Sequence, residues 1–348
     1  MELRAYVVRR VLLLVPVLFG VTLLIFGLLQ LFTPIQRASL YISDPKQLAN
    51  LDQIIERYGL NDPIWKQYWT WLNQVFHGNL GWSKVASMPV DNAIWHFLPS
   101  TIEIVLFAAP LIIFGGIYLG SKAAANKDRT VDHLTRVGAI IGWSLPTFWL
   151  GLMLLMVFYG FFHGLLPPER LSTSMQLVVT SSGFHQYTHL NTVDAVLNGN
   201  IRVLGDALRH LILPVITISV VNIAFIMRLM RSSMLESLGK GYILTARAKG
   251  LDERTVVNKH ARRNAMIPVL TISGYLLASL ASGVVITETI FNYRGLGWLA
   301  WQSAVRLDIP TVLGFALFTG VLFVLTNLVV DLLYARIDPR VRLGGQAK

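Results

Sequence analysis

The chain has 348 residues, 54% of them hydrophobic and only 14% charged, with a formal net charge of +11. A soluble chain of this length needs far more charge to cover its surface, so the composition excludes an ordinary soluble protein and points to an all-α integral membrane protein. The cations flank apolar runs instead of forming a compact basic domain, which argues against nucleic acid as a partner, and the absence of cysteine excludes disulfides, thiolate metal sites and a cysteine nucleophile.

Six apolar runs are long enough to cross a bilayer core about 30 Å thick, at about 20 residues per helix. The first, Val11–Phe32, follows Arg4, Arg9 and Arg10. It is longer than the core of a cleavable leader and lacks a small-x-small cleavage site, so a retained first span over residues 1–32 is expected. Residues 33–100 form a long extramembrane segment containing Trp65, Trp69, Trp71, Trp82 and Trp95. Within it, Tyr68-Trp69-x-Trp71-Leu72-x-x-Val75-Phe76 reads as an amphipathic helix that lies on a membrane surface or packs as a small cap.

The transmembrane core is expected over residues 101–335, with spans at Ile102–Gly120, Val137–Leu165, Leu211–Met230, Met266–Thr287 and Val312–Tyr334. Pro16, Pro110, Pro146 and Pro214 interrupt four of the six runs, and Pro146 predicts a broken or tilted third span. Gly116-x-x-x-Gly120 permits close helix approach, although such spacing arises readily by chance in apolar sequence. A polar tail covers residues 336–348. Lysines and arginines divide roughly two to one in favour of the side that holds both termini and the loop 231–265, which places that side in the cytoplasm.

No G-x-x-x-x-G-K-[ST] phosphate cradle occurs; Gly239-Lys240-Gly241 lacks the leading glycine and the hydroxyl residue. The chain is therefore expected to bind no cofactor or metal and to be no enzyme by itself, with any ATP and Mg held by separate subunits. His163, His185, His189 and His210 lack metal-ligand spacing and read as loop histidines. Arg228, near one end of the fourth span, is expected to snorkel. Asn222, Glu288 and Asn327 are the candidates for lining a polar pathway, or else for interhelical hydrogen bonding.

The functional weight falls on the basic insert between the fourth and fifth spans. Tyr242 to Lys249 favours a helix, Gly250 suits a left-handed C-terminal cap, and Asp252 is placed to cap a second helix beginning near Glu253. Ala246, Ala248 and Gly250 leave a shallow relief for a partner groove, flanked by Arg247, Lys249 and Arg254. A solvated basic loop beside anionic lipid is the plainer alternative.

Thr245-Ala246-Arg247-Ala248-Lys249-Gly250-Leu251, followed by His260-x-x-Arg263-Asn264-Ala265-x-x-Pro268, resembles the coupling loop of binding-protein-dependent ABC transporter permeases, in particular the dipeptide/oligopeptide branch. Tyr58-Gly59-Leu60-Asn61-Asp62-Pro63, Gly78-Asn79-Leu80-Gly81-Trp82-Ser83, Ser144-x-Pro146-x-Phe148-Trp149-x-Gly151 and Arg231-Ser232-Ser233-Met234-Leu235-Glu236 agree, as do Glu288-Thr289-Ile290-Phe291-Asn292-Tyr293-Arg294-Gly295-Leu296-Gly297 and Asp338-Pro339-Arg340. The resemblance implies a type I importer permease of six spans in a bacterial or archaeal cytoplasmic membrane. It also implies a second, similar permease, two ATPase subunits beneath, and an external solute-binding protein. Tyr242, Thr245, Ala246, Arg247, Ala248, Lys249, Gly250 and Leu251 would then meet an ATPase. Two departures stand out: Leu244-Thr245-Ala246 replaces the general Glu-Ala-Ala, and Arg294 replaces a proline common in the peptide branch. Nickel, glutathione or haem are alternative solutes within the family, and an ion-driven secondary transporter is the alternative outside it.

Overall fold

Proline, glycine and a few capped turns set the boundaries in the computed structural model, which describes residues 3–42 and 51–337. Helix α1 (Leu3–Leu29) carries Pro16 without breaking, and is followed by the short α2 (Pro34–Ala38), α3 (Leu51–Arg57) and α4 (Ile64–Phe76). A two-stranded antiparallel hairpin, β1 (Trp82–Ser83) and β2 (Met88–Pro89), pairs Trp82 with Pro89 and Ser83 with Met88. Helix α5 (Val90–Ala125) starts directly after Pro89, whose fixed φ suits a helix entry, and runs through Pro99 and Pro110. It therefore begins 12 residues before the expected span and takes its first turns out of the 33–100 segment.

Helices α6 (Thr130–Ser144) and α7 (Thr147–Leu155) are one apolar run broken at Leu145-Pro146, with a bend of 92°. Pro146 has no N–H to continue the ladder and forces Leu145 into an extended conformation (ψ 119°), so the helix stops there. Widened helical turns over Met156–Phe161 extend α7. Next come α8 (Thr173–Val179), α9 (Asn191–Leu197) and α10 (Ile201–Leu238), whose start is capped by Asn200 accepting from the Val203 amide. After α10 lie α11 (Gly241–Ala248) and α12 (Glu253–Thr255). A further widened stretch, Val256–Ala261, leads into α13 (Arg262–Ala281). The chain closes with α14 (Val285–Ile290), α15 (Leu296–Val305) and α16 (Ile309–Ile337). Five stretches among the described residues are long and apolar enough to cross a membrane, and the bent α6–α7 pair makes six. The Asp338-Pro339-Arg340 motif and the tail after 337 lie outside the described residues.

The main core joins α5, α10 and α13. Gly116 and Gly120 make this possible. A Cβ on Gly116 would stand 2.6 Å from the Ile226 Cβ, and one on Gly120 would stand 2.5 Å from the Met227 carbonyl oxygen. The Gly-x-x-x-Gly pair is thus a true helix crossing, where small residues let the backbones approach closely. A second core gathers the far end of α1, α2 to α4 and the start of α16. This cap end of the bundle also holds α8, α9, α14 and α15. The opposite, basic end holds the α5–α6 turn and the segment from Gly239 to Ala261.

Candidate functional site

At the basic end, α11 starts and ends one residue earlier than expected, and Gly250 supplies the expected cap. Gly250 takes a left-handed φ of +78°, the Leu251 amide donates to the Ala246 carbonyl, and the Gly250 amide donates to Arg247. Asp252 accepts from the Thr255 amide at 2.9 Å and so caps the next helix. The Thr255 hydrogen bonds hold the Asp252 carboxyl below the usual carboxylate range.

The faces of α11 are sharply divided. Ile243 (1% exposed) and Ala246 (6%) are buried in the main core, where α11 lies against the Val256–Ala261 stretch. Leu244 is 71% exposed, and Tyr242, Thr245, Arg247, Ala248, Lys249, Gly250 and Leu251 are exposed with it. The expected relief needs correcting on two points. Ala246 shares a face with Ile243, and packing against the Val256–Ala261 stretch turns that face inward, so the outward ridge consists of Leu244, Thr245, Ala248, Lys249 and Leu251. Arg247 is also committed internally, donating to both carboxylate oxygens of Glu253 at 2.6 and 3.1 Å.

Tyr242 and Ser237 share a hydrogen bond of 2.5 Å, and Ser237 donates onward to the Ala261 carbonyl at 3.0 Å. Six residues earlier on α10, Arg231 donates to both oxygens of the buried Asp132 at 2.6 and 2.8 Å, while the Asp128 amide also donates to Asp132. These contacts bind the basic insert, the end of α10 and the start of α6 into one stiff block.

The expected pathway residues are placed differently. Glu288 is fully buried, accepting from the Thr101 hydroxyl (2.7 Å), the Trp298 amide (2.7 Å) and the Val284 amide (3.2 Å). It caps the first turn of α15 and staples α14 to α5, so it lines no pathway. The glycines of the Arg294-Gly295-Leu296-Gly297 motif exist to admit it. A Cβ on Gly295 would approach the Thr101 hydroxyl to 2.5 Å, and one on Gly297 would approach the Val285 amide nitrogen to 2.6 Å. Arg294 lies over the Trp298 ring at 5.5 Å. Asn222 is half-buried and donates to the Ile218 carbonyl of its own helix at 2.8 Å; Asn327 is half-buried on α16. Arg228 is exposed, with its guanidinium 4.4 Å from the centre of the Trp143 ring. His210 is a buried residue of α10 hydrogen-bonded to the Pro168 carbonyl at 2.7 Å, not a loop histidine.

The sequence reading missed four buried carboxylates, each a single acid with no motif around it: Asp132, Glu103, Asp194 and Asp308. Glu103 accepts from Arg170 (2.8 and 3.1 Å), the Thr192 amide (2.7 Å) and hydroxyl (3.0 Å), and the Tyr293 hydroxyl (2.8 Å). Burial pushes the Tyr293 phenol well above its ordinary value, and the Glu103 charge acts in the same direction. Asp308 accepts from Ser83, the Val85 amide and Thr311, pinning the hairpin to α16. Together, Glu103 and Asp308 hold the cap end onto the bundle.

A family model described as "Binding-protein-dependent transport system inner membrane component" matches residues 112–343, and the model of its N-terminal part matches residues 3–104. The chain is 40% identical to the probable D,D-dipeptide transport system permease protein DdpB of Escherichia coli (strain K12), over 95% of this chain and 96% of that one. It is 36% identical to the dipeptide transport system permease protein DppB of Alkalihalophilus pseudofirmus, over 97% and 99% of the two chains. Identity to the oligopeptide transport system permease protein AppB of Bacillus subtilis (strain 168) is 35%, over 97% and 99%.

Proposed function

The chain belongs to the binding-protein-dependent transport system inner membrane component family, and from that premise we propose that it is one permease subunit of an ATP-driven importer for dipeptides or oligopeptides. The peptide assignment is supported by the names of relatives aligned along nearly their whole length. In this reading both termini and the 239–261 insert face the cytoplasm, as the cation asymmetry favours. A second, similar permease completes the pathway, two ATPase subunits bind beneath, and an external solute-binding protein delivers the peptide. Nucleotide and Mg are held by the ATPases, not by this chain.

The observation that carries the coupling role is the division of α11 into a buried and an exposed face. A surface that receives a moving partner must be accessible, and it must be fixed to the part it moves. Leu244, Ala248, Lys249 and Leu251 meet the first requirement, and the buried Ile243–Ala246 face, set against the Val256–Ala261 stretch, meets the second. Displacement of the ridge is passed through the Val256–Ala261 stretch into α10 and α13, and from α10 into α5 through the close Gly116–Gly120 crossing. Packed elements joined this way shift as rigid bodies instead of deforming locally.

The test is Leu244→Glu in the complete transporter reconstituted in proteoliposomes. The substitution leaves the buried face intact, so the protein inserts normally. Substrate-stimulated ATP hydrolysis and uptake are expected to fall at least tenfold, equivalent to about 1.4 kcal/mol of lost coupling. Wild-type stimulation by the inserted variant rejects this assignment of the ridge.

A further inference from the structure

Helix α4 presents two unlike faces. Gln67, Tyr68, Trp71 and Leu72 are buried, whereas Trp65 (68% exposed), Trp69 (60%) and Phe76 (80%) project outward. At 3.6 residues per turn these three aromatics fall within about 40° of one another, a single stripe along the helix.

The position of the buried face decides what the stripe meets. Tyr68 shares a 2.9 Å hydrogen bond with the Thr22 hydroxyl, and its ring packs edge-on against Phe19 and Phe26, with centroids at 5.9 and 5.2 Å. Trp71 lies against Phe26 at 5.8 Å. Thr22 is seven residues before the end of α1 at Leu29, and a helix rises 1.5 Å per residue, so Tyr68 meets the first span about 10 Å below its outer end. Phe19 lies about 15 Å below that end by the same measure. A helix resting on the membrane surface would reach only the last turn of the span. Helix α4 stands beside the span instead, at the depth of one leaflet.

The surroundings fit that depth. The exposed residues of α1 alongside are Phe19, Leu23, Leu24 and Leu28, so the aromatic stripe continues a surface that already faces lipid. The helix carries one cation, Lys66, at the edge of the stripe and paired with Asp62 at 2.7 Å. A long stem with a charged tip is the side chain suited to reach from an apolar face to the interface. Tryptophan in particular favours the boundary between acyl chains and headgroups, where its ring is apolar and its N–H finds a partner.

We infer that α4 is a half-depth anchor, immersed in the leaflet at the cap end of the bundle with Trp65, Trp69 and Phe76 against lipid. The segment between the first two spans is then not wholly extramembrane: it dips back to the bilayer, and this fixes the cap's height above the pathway. The inference rests on the chain spanning the membrane and on the α1–α4 contacts, and it holds whichever solute is carried.

The natural absence of cysteine makes the test direct. Single cysteines are placed at Trp65→Cys, Trp69→Cys and Phe76→Cys. Leu24→Cys on α1 serves as a lipid reference, and Ser182→Cys, exposed in the α8–α9 loop, as an aqueous reference. Each full-length variant is spin-labelled and reconstituted in vesicles of phosphatidylethanolamine and phosphatidylglycerol. Collisions with oxygen, which concentrates in the bilayer, are compared with collisions with a water-soluble nickel chelate. Labels at 65 and 69 are expected to show an oxygen-to-nickel ratio several-fold above that at 182 and close to that at 24. A ratio like that at 182 overturns the inference in favour of a solvated face, and shielding from both reagents overturns it in favour of a protein partner. As a second measurement without labels, the Trp65→Phe/Trp69→Phe chain should lose part of the tryptophan emission that brominated lipid quenches. An undiminished quenched component also overturns the inference.

Discussion

Replacing Glu103 by glutamine removes one charge from the centre of five hydrogen bonds and changes almost no volume. Oxygen Oε2 accepts from Arg170 and Tyr293, and Oε1 accepts from the Thr192 amide and hydroxyl. Whichever oxygen becomes an amide nitrogen, a donor then faces a donor. On one side the guanidinium loses its counter-charge; on the other a backbone amide loses its acceptor. Breaking a buried ion pair by removing one partner costs about 3–5 kcal/mol. Arg170 keeps 22% of its side chain accessible and a second bond to the His189 carbonyl at 2.8 Å, so the cost falls at the lower end, about 3 kcal/mol. Tyr293→Phe removes one donor and leaves the carboxylate four others, which places its cost near the bottom of the range for a hydrogen bond to a charged group, about 1.5 kcal/mol. The unfolding midpoints of the two variants and the wild type in one detergent, followed by protease cleavage between 170 and 200, give the comparison. Glu103→Gln should be the more damaging by about a factor of two, with early cleavage in the α8–α9 region. A loss below about 1 kcal/mol, or a loss smaller than that of Tyr293→Phe, would refute the claim that this carboxylate holds the cap to α5.

The helix crossing and the cap of α12 give further expectations. A methyl group at Gly120 meets the Met227 carbonyl at 2.5 Å and the Met230 Cβ at 2.7 Å, atoms of a packed helix that cannot yield, whereas one at Gly115 meets nothing closer than 3.6 Å. Gly120→Ala is therefore expected to destabilise the protein by about 1–3 kcal/mol through overpacking and Gly115→Ala by much less, measured as denaturation midpoints; equal effects would contradict the close approach. Asp252 has a folded-state pKa below its ordinary value, so its stabilisation of α12 is fully present above the unfolded carboxylate value of about 3.9 and is lost as pH falls through the folded value. Amide exchange at residues 253–256 should accelerate below about pH 4 relative to Asp252→Asn, whose side chain still caps but does not titrate, and parallel pH profiles would count against the cap.

Local rules were enough to read much of this molecule from its residues. The apolar runs located the spans because a bilayer demands about 20 apolar residues per crossing. Pro146 announced the break between α6 and α7, since a missing N–H acts within one turn wherever the helix lies. Gly250 and Asp252 marked the ends of the two helices of the insert for the same kind of reason, their effect reaching only a few residues along the chain. Contacts between distant segments were a different matter. That Ala246 turns inward, that Glu288 supports α15 instead of lining a path, and that Gly116 and Gly120 touch α10 depend on which surfaces meet. Glu103 draws partners from positions 170, 192 and 293. Period and propensity describe one segment at a time, while the partner of a buried charge is chosen by how the helices pack, and only the folded chain brings those segments within hydrogen-bonding distance.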